Sequence, residues 1–451
     1  MPNRPPVIFI PGFPASELVD AANDVVFPPS LSTLASPTKK QRFLDAITDL
    51  AQLRAGEPIR DTFFGIEKQA QSLYDILRLY GYPLADPAEF RAIGWDWRRA
   101  VDDAIVQAAV RTAIQQMSSG GTKVLVIIHS TGGLVLRQLL AAEPALGAKI
   151  GHILALGVPW AGTLKSLRYL VKGQSTGIPG ARITANESMR IIRGAQAAYD
   201  LLPPPRDLAN PADVPPSFAR QGNSSVSPMV ATAWIPASWR TRMDPMAERA
   251  TRLRRTPDFP VANIPITNVA GFGAATDTRA DLVPGDATFS ATAEGDGTVP
   301  HASAAWLRGP SVRSFSLPVG VYPTGGVPLY HAQIWDAPSM FGLFDELLLG
   351  AQPEPFIVAA LDADDASMGG QRPMKVHISG ALADGSPLIP MNVSFTNLRV
   401  PLSTTINGRG TITIPKASLP IATSSNFVRF NAIVTWAGGG RREVGLMYQR
   451  R

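Results

Sequence analysis

The stretch VLVIIHSTGGLV, residues 124–135, constrains the fold of this chain more than any other feature. A run of apolar, mostly β-branched residues ends at Ser130, and Gly132 and Gly133 then begin an amphipathic helical pattern. The run predicts a buried strand that turns sharply into a helix. Such a turn places a serine hydroxyl at the carboxyl edge of a sheet, beside the N-terminus of the helix.

The rest of residues 1–350 alternates short β-rich runs with longer helical patterns, which is typical of a mostly parallel sheet flanked by helices. Together with a serine at a strand-to-helix turn, this alternation predicts an α/β-hydrolase fold over residues 1–350. We expect no signal peptide and no transmembrane segment, because no apolar run approaches the roughly 20 residues that span a bilayer. The predicted strands are 6–10, 123–128, 152–157, 266–272 and 312–317, and the predicted helices are 64–80, 99–117, 132–143 and 332–349.

Two segments depart from this pattern. Strand-like runs disappear between residues 163 and 262, and a long insertion after the central strands of such a sheet usually forms a cap or lid. After a proline-marked junction at 351–356, short alternating segments separated by Gly, Asp, Asn and Ser predict a small antiparallel β-sandwich over residues 356–451. The prediction is therefore an α/β domain with a cap, followed by an all-β accessory domain.

Composition narrows the chemistry that the chain can perform. The absence of cysteine excludes disulfides, thiolate metal sites and a cysteine nucleophile, and it fits a reducing compartment such as the cytoplasm. With only five histidines we expect no all-histidine metal site, and we predict neither metal nor cofactor. The formal charge of +6 is modest for 451 residues, so we expect no nucleic-acid partner. A basic cluster at 240–255, with six arginines against two acids, is either a solvated helix face or a surface attracted to anionic lipid headgroups.

A nucleophilic serine needs a histidine base and an acid that orients the base. In an α/β-hydrolase the acid and then the histidine follow the serine along the chain. The segment AEGDGTVPHAS, residues 293–303, is a glycine-rich loop after a strand, and it predicts Asp296 as the acid. Glu294 in the same loop is the local alternative.

The predicted base is His331, which follows the strand at 312–317 and precedes the last helix of the α/β domain. His301 is the alternative base. It lies only five residues after Asp296, too close in sequence to come from a different strand end. His129 adjoins the serine, and we expect it to point away and to orient neighbouring loops. The other two histidines are His152 at the start of a strand and His377 in the tail.

The loop after the first predicted strand, FIPGFPASEL at 9–18, should supply one of two oxyanion donors. Pro14 has no N–H, so the donor should be Phe13, joined by the N–H of Thr131 after the nucleophile. The alternative interpretation of this loop is a simple tight turn. The serine motif has its own alternative, because Ile128 stands where Gly-x-Ser-x-Gly has its first glycine, and Ser130 could then merely cap the helix.

An ordered set of motifs over about residues 5–350 resembles the lecithin:cholesterol acyltransferase-like family of α/β-hydrolases. The opening PVIFIPGFPASEL resembles the family's PVILVPG…GSEL, and HSTGG stands in for GHSMGG. The other matching segments are GWDWRRA (94–100), LGVPWAGT (156–163), MRIIRGAQAAYDLLP (189–203) and GDGTVP (295–300), similar to the family's YDWR, LGTPHRGS, R…PS…LLP and GDGTVP.

The resemblance implies that Ser130, Asp296 and His331 act as nucleophile, acid and base, with Phe13 and Thr131 as oxyanion donors. The chain departs from the family at Ile128 and in lacking the cysteines that pin the lid of extracellular members. These two differences affect the expected lid structure and substrate class more than the roles of Ser130, Asp296 and His331.

These residues predict a serine esterase or lipase that cleaves a hydrophobic acyl or aryl ester through an acyl-enzyme. Trp160, Trp234 and Trp239 are predicted substrate contacts, with cap core as the alternative interpretation of the cap tryptophans. One alternative function is acyl transfer from a phospholipid-like donor to an alcohol, and another is a non-catalytic binding protein on a hydrolase fold. A further hypothesis is peripheral contact of the tail with a lipid or polymer surface.

Overall fold

A six-stranded parallel sheet forms the centre of the structure, a computed structural model that describes residues 4–60, 70–203, 218–221, 224–226, 258–283, 286–319, 330–337, 339–352, 355–361, 373–419 and 427–449. All five neighbouring strand pairs in this sheet run parallel. In spatial order the strands are Val312–Pro318, Ile266–Phe272, Ile150–Leu156, Val124–His129, Val7–Ile10 and Phe90–Ala92. The structure therefore has the predicted α/β-hydrolase architecture.

The five strands expected from the sequence are confirmed, and the short edge strand Phe90–Ala92 adds a sixth. The strands Val7–Ile10 and Val124–His129 are buried at every position, because helices cover both faces of the sheet. Ile128 is fully buried in one of the two core clusters that flank the sheet. The bulky residue that replaces the first glycine of the serine motif is therefore accommodated as a core side chain.

Ten α-helices pack among the described residues. They are Leu31–Ala35, Pro37–Thr48, Gln71–Leu79, Ala104–Met117, Gly132–Ala142, Leu164–Lys172, Ala185–Gly194, Gln196–Asp200, His301–Ala304 and Met340–Leu349. The helix expected over 64–80 lies partly outside the described residues and is seen as Gln71–Leu79. Two other expected helices differ from the prediction. The one expected from residue 99 begins at Ala104, because the Asp103 side chain accepts a hydrogen bond from the Ile105 N–H and caps it. The one expected over 332–349 splits into a 3-10 turn, His331–Asp336, and the final α-helix, because the residue before a proline at 338 is disfavoured in helical conformation.

The insertion at 163–262 contains strands, which corrects the expectation that the strand pattern disappears there. Thr176–Ile178 and Ala181–Ile183 form a hairpin between helices. A second sheet joins the insertion to the chain that follows it, in the order Ser224–Val226, Phe218–Gln221, Thr276–Val283 and Asp286–Thr292. These strands are short or carry polar residues at most positions, so the apolar alternation that signals a strand is missing.

The tail consists of antiparallel sheets, as predicted. One contains Phe356–Leu361, Met374–Ala381 and Arg409–Ile414, and the other contains Leu402–Ile406, Met391–Thr396, Phe427–Trp436 and Gly440–Gln449. Alternate residues of both sheets meet in one apolar core. The exact division into domains at 350–356 stays a prediction.

A separate three-stranded sheet near the start of the chain contains Val25–Phe27, Ser16–Val19 and Arg54–Pro58. In the described part of the chain, no helix combines the length and apolarity needed to cross a membrane.

Candidate active site

Ser130 sits at the turn between the strand Val124–His129 and the helix Gly132–Ala142, with a backbone φ of +51°. A positive φ is uncommon for a residue other than glycine and marks a strained position that the surrounding fold must hold. The Ser130 N–H donates to the Leu156 carbonyl at 3.0 Å, and its own carbonyl accepts from the Gly133 N–H at 3.0 Å. These two hydrogen bonds fix the turn from both sides.

Two glycines allow the loop after the first strand to approach this turn. A Cβ on Gly132 would lie 2.4 Å from the Ile10 carbonyl oxygen, and a Cβ on Gly12 would lie 2.6 Å from the Ser130 Cβ. Both distances are shorter than any real contact, so only glycine fits at either position. Gly12 and Gly132 therefore leave room for the two backbones to meet at Ser130, while Ile128 packs into the core.

Asp296 is fully buried, and both of its carboxylate oxygens are hydrogen-bonded. Oδ1 accepts from the N–H groups of Thr298 at 3.0 Å and Val299 at 2.7 Å. Oδ2 lies 2.7 Å from His331 Nδ1. The two backbone donors hold one oxygen, so the other is fixed in orientation toward the imidazole.

His331 is held at Asp296 by main chain as well as side chain, because its N–H donates to the Asp296 carbonyl at 3.0 Å. With the carboxylate as acceptor, Nδ1 carries the proton and Nε2 is left with its lone pair. Within the described residues, His331 Nε2 is buried and has no hydrogen-bond partner. The imidazole and Ser130 line the same cleft. The arrangement can accept a proton at Nε2.

The alternative acid and base are engaged elsewhere. Glu294 pairs with Arg409 of the tail, with Nη1 and Oε2 3.0 Å apart. The Nε2 of His301 lies 2.9 Å from the Ser316 hydroxyl, and burial lowers the pKa of His301 to about 3. The structure therefore brings His331, and not His301, to the predicted acid.

His129 supports the loop that carries the imidazole. Its Nε2 lies 2.9 Å from the His331 carbonyl, which can only accept, so Nε2–H donates. Burial, and to a smaller extent the neighbouring His331, lowers the pKa of His129 to about 3, so the ring is neutral above that pH. This matches the expectation that His129 orients a neighbouring loop.

Phe13 and Thr131 both line the cleft together with Ser130. In the described part of the chain, their N–H groups donate to no protein acceptor. The GWDWRRA segment holds the loop that carries Phe13. The Trp95 indole N–H donates to the Pro11 carbonyl at 2.9 Å, and the Trp97 indole N–H donates to the Ser16 carbonyl at 3.1 Å. In the sequence this segment is visible only as a family motif, because its structural role depends on contacts with residues about 80 positions away.

The cleft above Ser130 has a volume of about 1010 Å³ and a mixed lining. Several of its walls come from the insertion that follows residue 163. Apolar lining residues include Phe13, Phe27, Trp97, Tyr169, Ile183, Ile191, Ile192 and Leu201, and polar ones include Thr163, Lys165, Ser166, Ser175, Thr176, Ser188 and Thr298. Nowhere in the described ranges do three or more His, Asp or Glu side chains gather in a way that could hold a metal ion.

None of the three tryptophans predicted to contact substrate is seen in the lining of the cleft among the described residues. Trp160 is fully buried, and its indole N–H donates to the Asn268 side chain at 3.0 Å, so it belongs to the core and does not line the cleft. The side chain turns inward because the buried amide satisfies its only donor. Trp234 and Trp239, like the basic cluster at 240–255, lie outside the described residues. Trp97 lines the cleft instead, and the motif at 94–100 was the available signal.

Comparison with known proteins confirms the predicted resemblance. The family model "Lecithin:cholesterol acyltransferase" matches residues 65–244, a range that contains Ser130 but neither Asp296 nor His331. The mouse lysosomal phospholipase A and acyltransferase is 30% identical over 105 residues, 22% of this chain and 26% of that protein. The rat phosphatidylcholine-sterol acyltransferase is 32% identical over 106 residues, 22% of this chain and 24% of that protein.

A plant relative matches over a longer stretch. The lecithin-cholesterol acyltransferase-like 1 protein of Arabidopsis thaliana is 29% identical over 209 residues, 44% of this chain and 45% of that protein. The chain thus spans about a quarter to less than half the length of these curated relatives.

Proposed function

We propose that this lecithin:cholesterol acyltransferase-like chain is a serine hydrolase that cleaves carboxylic esters with a hydrophobic acyl or aryl group through an acyl-enzyme. The observation that carries the proposal is the 2.7 Å contact between His331 Nδ1 and the buried carboxylate of Asp296, in the cleft that Ser130 lines from its strained turn. A buried acid, an oriented imidazole and a serine that lines the same cleft are the parts that acyl transfer needs.

The residues divide the reaction as follows. His331 Nε2 takes the proton of the Ser130 hydroxyl as its oxygen attacks the ester carbonyl, and a tetrahedral oxyanion forms. Asp296 keeps the proton of the neutral imidazole on Nδ1 and stabilises the imidazolium. The intermediate collapses, the C–O bond to the leaving alcohol breaks, and His331 returns the proton to that alcohol. Water then attacks the acyl-enzyme with His331 again as base, and the carboxylic acid product leaves with Ser130 regenerated.

The oxyanion would bind the N–H groups of Phe13 and Thr131. Both are backbone donors beside Ser130, and the Trp95 indole holds the loop that carries Phe13 through the Pro11 carbonyl. Preorganised donors of this kind stabilise the transition state without reorganisation during the reaction, and loss of one typically costs about 10²–10³ in rate.

The lining of the cleft supports the substrate class. A volume of about 1010 Å³ is at the upper end of small-molecule sites, which suits an ester with a long or bulky acyl group. Aromatic and aliphatic residues from Phe13 to Leu201 offer apolar contact for that group. Peripheral contact of the basic cluster or the tail with a lipid surface is a separate hypothesis from the sequence.

Acyl transfer is the second candidate function, and the comparisons are the observation that favours it. The matched relatives carry the names phospholipase A and acyltransferase, and phosphatidylcholine-sterol acyltransferase. The same acyl-enzyme would serve both reactions. The difference lies only in whether water or an alcohol attacks it, so the two functions share Ser130, Asp296 and His331.

A fluorophosphonate probe tests the proposal, because it phosphonylates an activated serine. We expect the wild type to be labelled at Ser130, with the site read by mass spectrometry, and the Ser130→Ala variant to stay unlabelled. A panel of p-nitrophenyl esters and phosphatidylcholine vesicles, with and without an added long-chain alcohol, then separates hydrolysis from transfer by the product formed. No labelling of the wild type would favour a non-catalytic binding protein and contradict the proposal.

Gly157 provides a prediction about the spacing of the acid and base. A Cβ at this position would lie 3.0 Å from both Cε1 and Nδ1 of His331 and 3.1 Å from Asp296 Oδ2, and the backbone φ is +56°. We expect Gly157→Ala to push the pair apart and to lower kcat by about 100-fold, since displacements near 1 Å can cost that much. The matched control is Gly342→Ala on the last helix, where an added Cβ meets nothing within 4 Å. Equal kcat in the two variants would argue against the assigned pair.

A further inference from the structure

The sheet of the tail that contains Met374–Ala381 and Arg409–Ile414 has one face that its own core does not use. His377 pairs with Thr411, and Ser379 pairs with Arg409, so these four side chains share a face. The alternate residues Val376, Ile378, Ile412 and Ile414 point into the tail's apolar core. His377 and Ser379 are nevertheless only 2% exposed. A polar outer face that is buried must be covered by another layer of the protein.

The covering layer is the part of the α/β domain that carries the predicted acid. The ring of Phe272, at the end of a central strand, packs edge-on against His377 with centroids 6.0 Å apart. The Arg409 guanidinium lies 5.2 Å from the centroid of the same ring. Arg409 Nη1 also pairs with Glu294 Oε2 at 3.0 Å. Arg409 thus contacts both the end of the strand at Phe272 and Glu294 of the loop at 293–303, which carries Asp296 and is called the acid loop below.

Those two segments are joined to each other and to the cleft. The Gly273 N–H donates to the Ala293 carbonyl at 2.6 Å, and the Ala274 N–H donates to the Gly295 carbonyl at 3.0 Å. Gly273, Ala274 and Ala293 line the cleft, and Asp296 follows Gly295 directly. A shift of Glu294 relative to Phe272 would therefore be transmitted along a hydrogen-bonded seam to Asp296.

We propose that the C-terminal β-region is a positioning element for the acid loop, in which Arg409 clamps Glu294 to Phe272 and thereby keeps Asp296 in line with His331. The inference rests on the proposed function. Arg409 touches no reacting atom, so it is a positioning residue. Partly exposed ion pairs add little to global stability, whereas the alignment of a catalytic pair tolerates only small displacements. Loss of the clamp should therefore lower kcat more than it lowers the free energy of unfolding.

A charge-reversal cycle in the full-length chain tests the clamp, with Arg409→Glu, Glu294→Arg and the double variant. We expect each single variant to lower kcat on a soluble p-nitrophenyl ester by about threefold to tenfold with KM unchanged, because attraction is replaced by repulsion. The double variant restores the pair in reverse and should recover more than half of the lost kcat. The matched control is Arg441→Glu in the strand Gly440–Gln449, where the arginine side chain is 59% exposed and contacts Glu443 at 3.6 Å, and it should keep the wild-type kcat.

Hydrogen exchange gives a readout that does not depend on activity. The His301 N–H donates to the Glu294 carbonyl at 2.8 Å, and the Val299 N–H donates to Asp296 Oδ1 at 2.7 Å. We expect both amides to exchange at least severalfold faster in Arg409→Glu, unchanged in Arg441→Glu, and slowed again in the double variant. Thermal unfolding midpoints of all four variants establish that the fold is retained.

The outcomes separate this inference from the function on which it rests. If the wild type turns over the ester, and Arg409→Glu has the same kcat and the same amide exchange rates, the clamp is wrong and the proposed function stands. A double variant no better than the worse single variant overturns it as well. Absence of turnover and of Ser130 labelling in the wild type overturns the proposed function, and the exchange rates still decide whether Arg409 orders the acid loop.

Discussion

Replacing Asp296 by asparagine is expected to lower kcat by about 10⁴-fold with little change in KM. The asparagine oxygen can still accept from the Thr298 and Val299 N–H groups, so the loop keeps its shape. Its NH₂ then faces His331 Nδ1 at the position of Oδ2, and two donors cannot meet there. The imidazole must turn to the tautomer with the proton on Nε2, which cannot take the serine proton. Steady-state kinetics on a p-nitrophenyl ester measure the loss.

Glu294→Gln is the matched control for this prediction, because it makes the same chemical change two residues away. The Glu294 carboxylate faces Arg409 and not the imidazole. Its loss should cost no more than severalfold in kcat, through the weakened clamp. Wild-type kcat in Asp296→Asn, or a larger loss in Glu294→Gln, would return the role of acid to the alternative carboxylate.

Replacing Asp96 by alanine is expected to lower the free energy of unfolding by about 3–5 kcal/mol, because the variant leaves a buried guanidinium without its counter-charge. Asp96 and Arg98 are 3% and 2% exposed, and they form a two-pronged pair with both N–O distances at 2.8 Å. The remaining Arg98 donors reach the carbonyls of Asp49 and Leu53. Urea denaturation followed by circular dichroism gives the difference.

Asp75→Ala is the matched control, since it removes the acid of an aspartate–arginine pair on the protein surface. Asp75 and Arg78 are 57% and 54% exposed, one helical turn apart on Gln71–Leu79. Water screens such a pair, and we expect its loss to change stability by about 0.5 kcal/mol or less. A small effect of Asp96→Ala as well would mean that the backbone carbonyls of Ile47, Asp49 and Leu53 alone satisfy Arg98.

The buried pair also connects stability with the candidate site. Asp96 and Arg98 flank Trp97, and the neighbouring Trp95 holds the loop of Phe13 through the Pro11 carbonyl. A motif that resembles a family signature in the sequence therefore holds the loop that carries Phe13 in the structure. Eighty-four positions separate Trp95 from Pro11, so no local pattern could have revealed the contact.

Some features of the candidate site are visible in the local sequence, and others depend on contacts between distant residues. Ser130 could be identified from residues 124–135 because strand, turn and helix are encoded by neighbours within a few positions. Glycine positions near the turn were also visible, although which of them relieves the crowding around Ser130 was not. Trp160, a predicted substrate contact, does not line the cleft. The sequence shows an aromatic residue after a strand but not the buried Asn268 that accepts from its indole N–H.

Local sequence patterns were enough to predict five of the six central strands, the α/β architecture, the turn that carries Ser130 and the antiparallel character of the tail. These depend on the periodicity of apolar residues and on turn chemistry, which act over a few residues. The spacing along the chain favoured His331 over His301, and the structure shows it beside Asp296. No local pattern indicated that Trp97 lines the cleft or that Arg409 of the tail reaches Glu294. Each of these is a contact between residues far apart in the chain. Such contacts are selected by the packing of whole elements, because the buried polar groups at their ends must find partners once water is excluded.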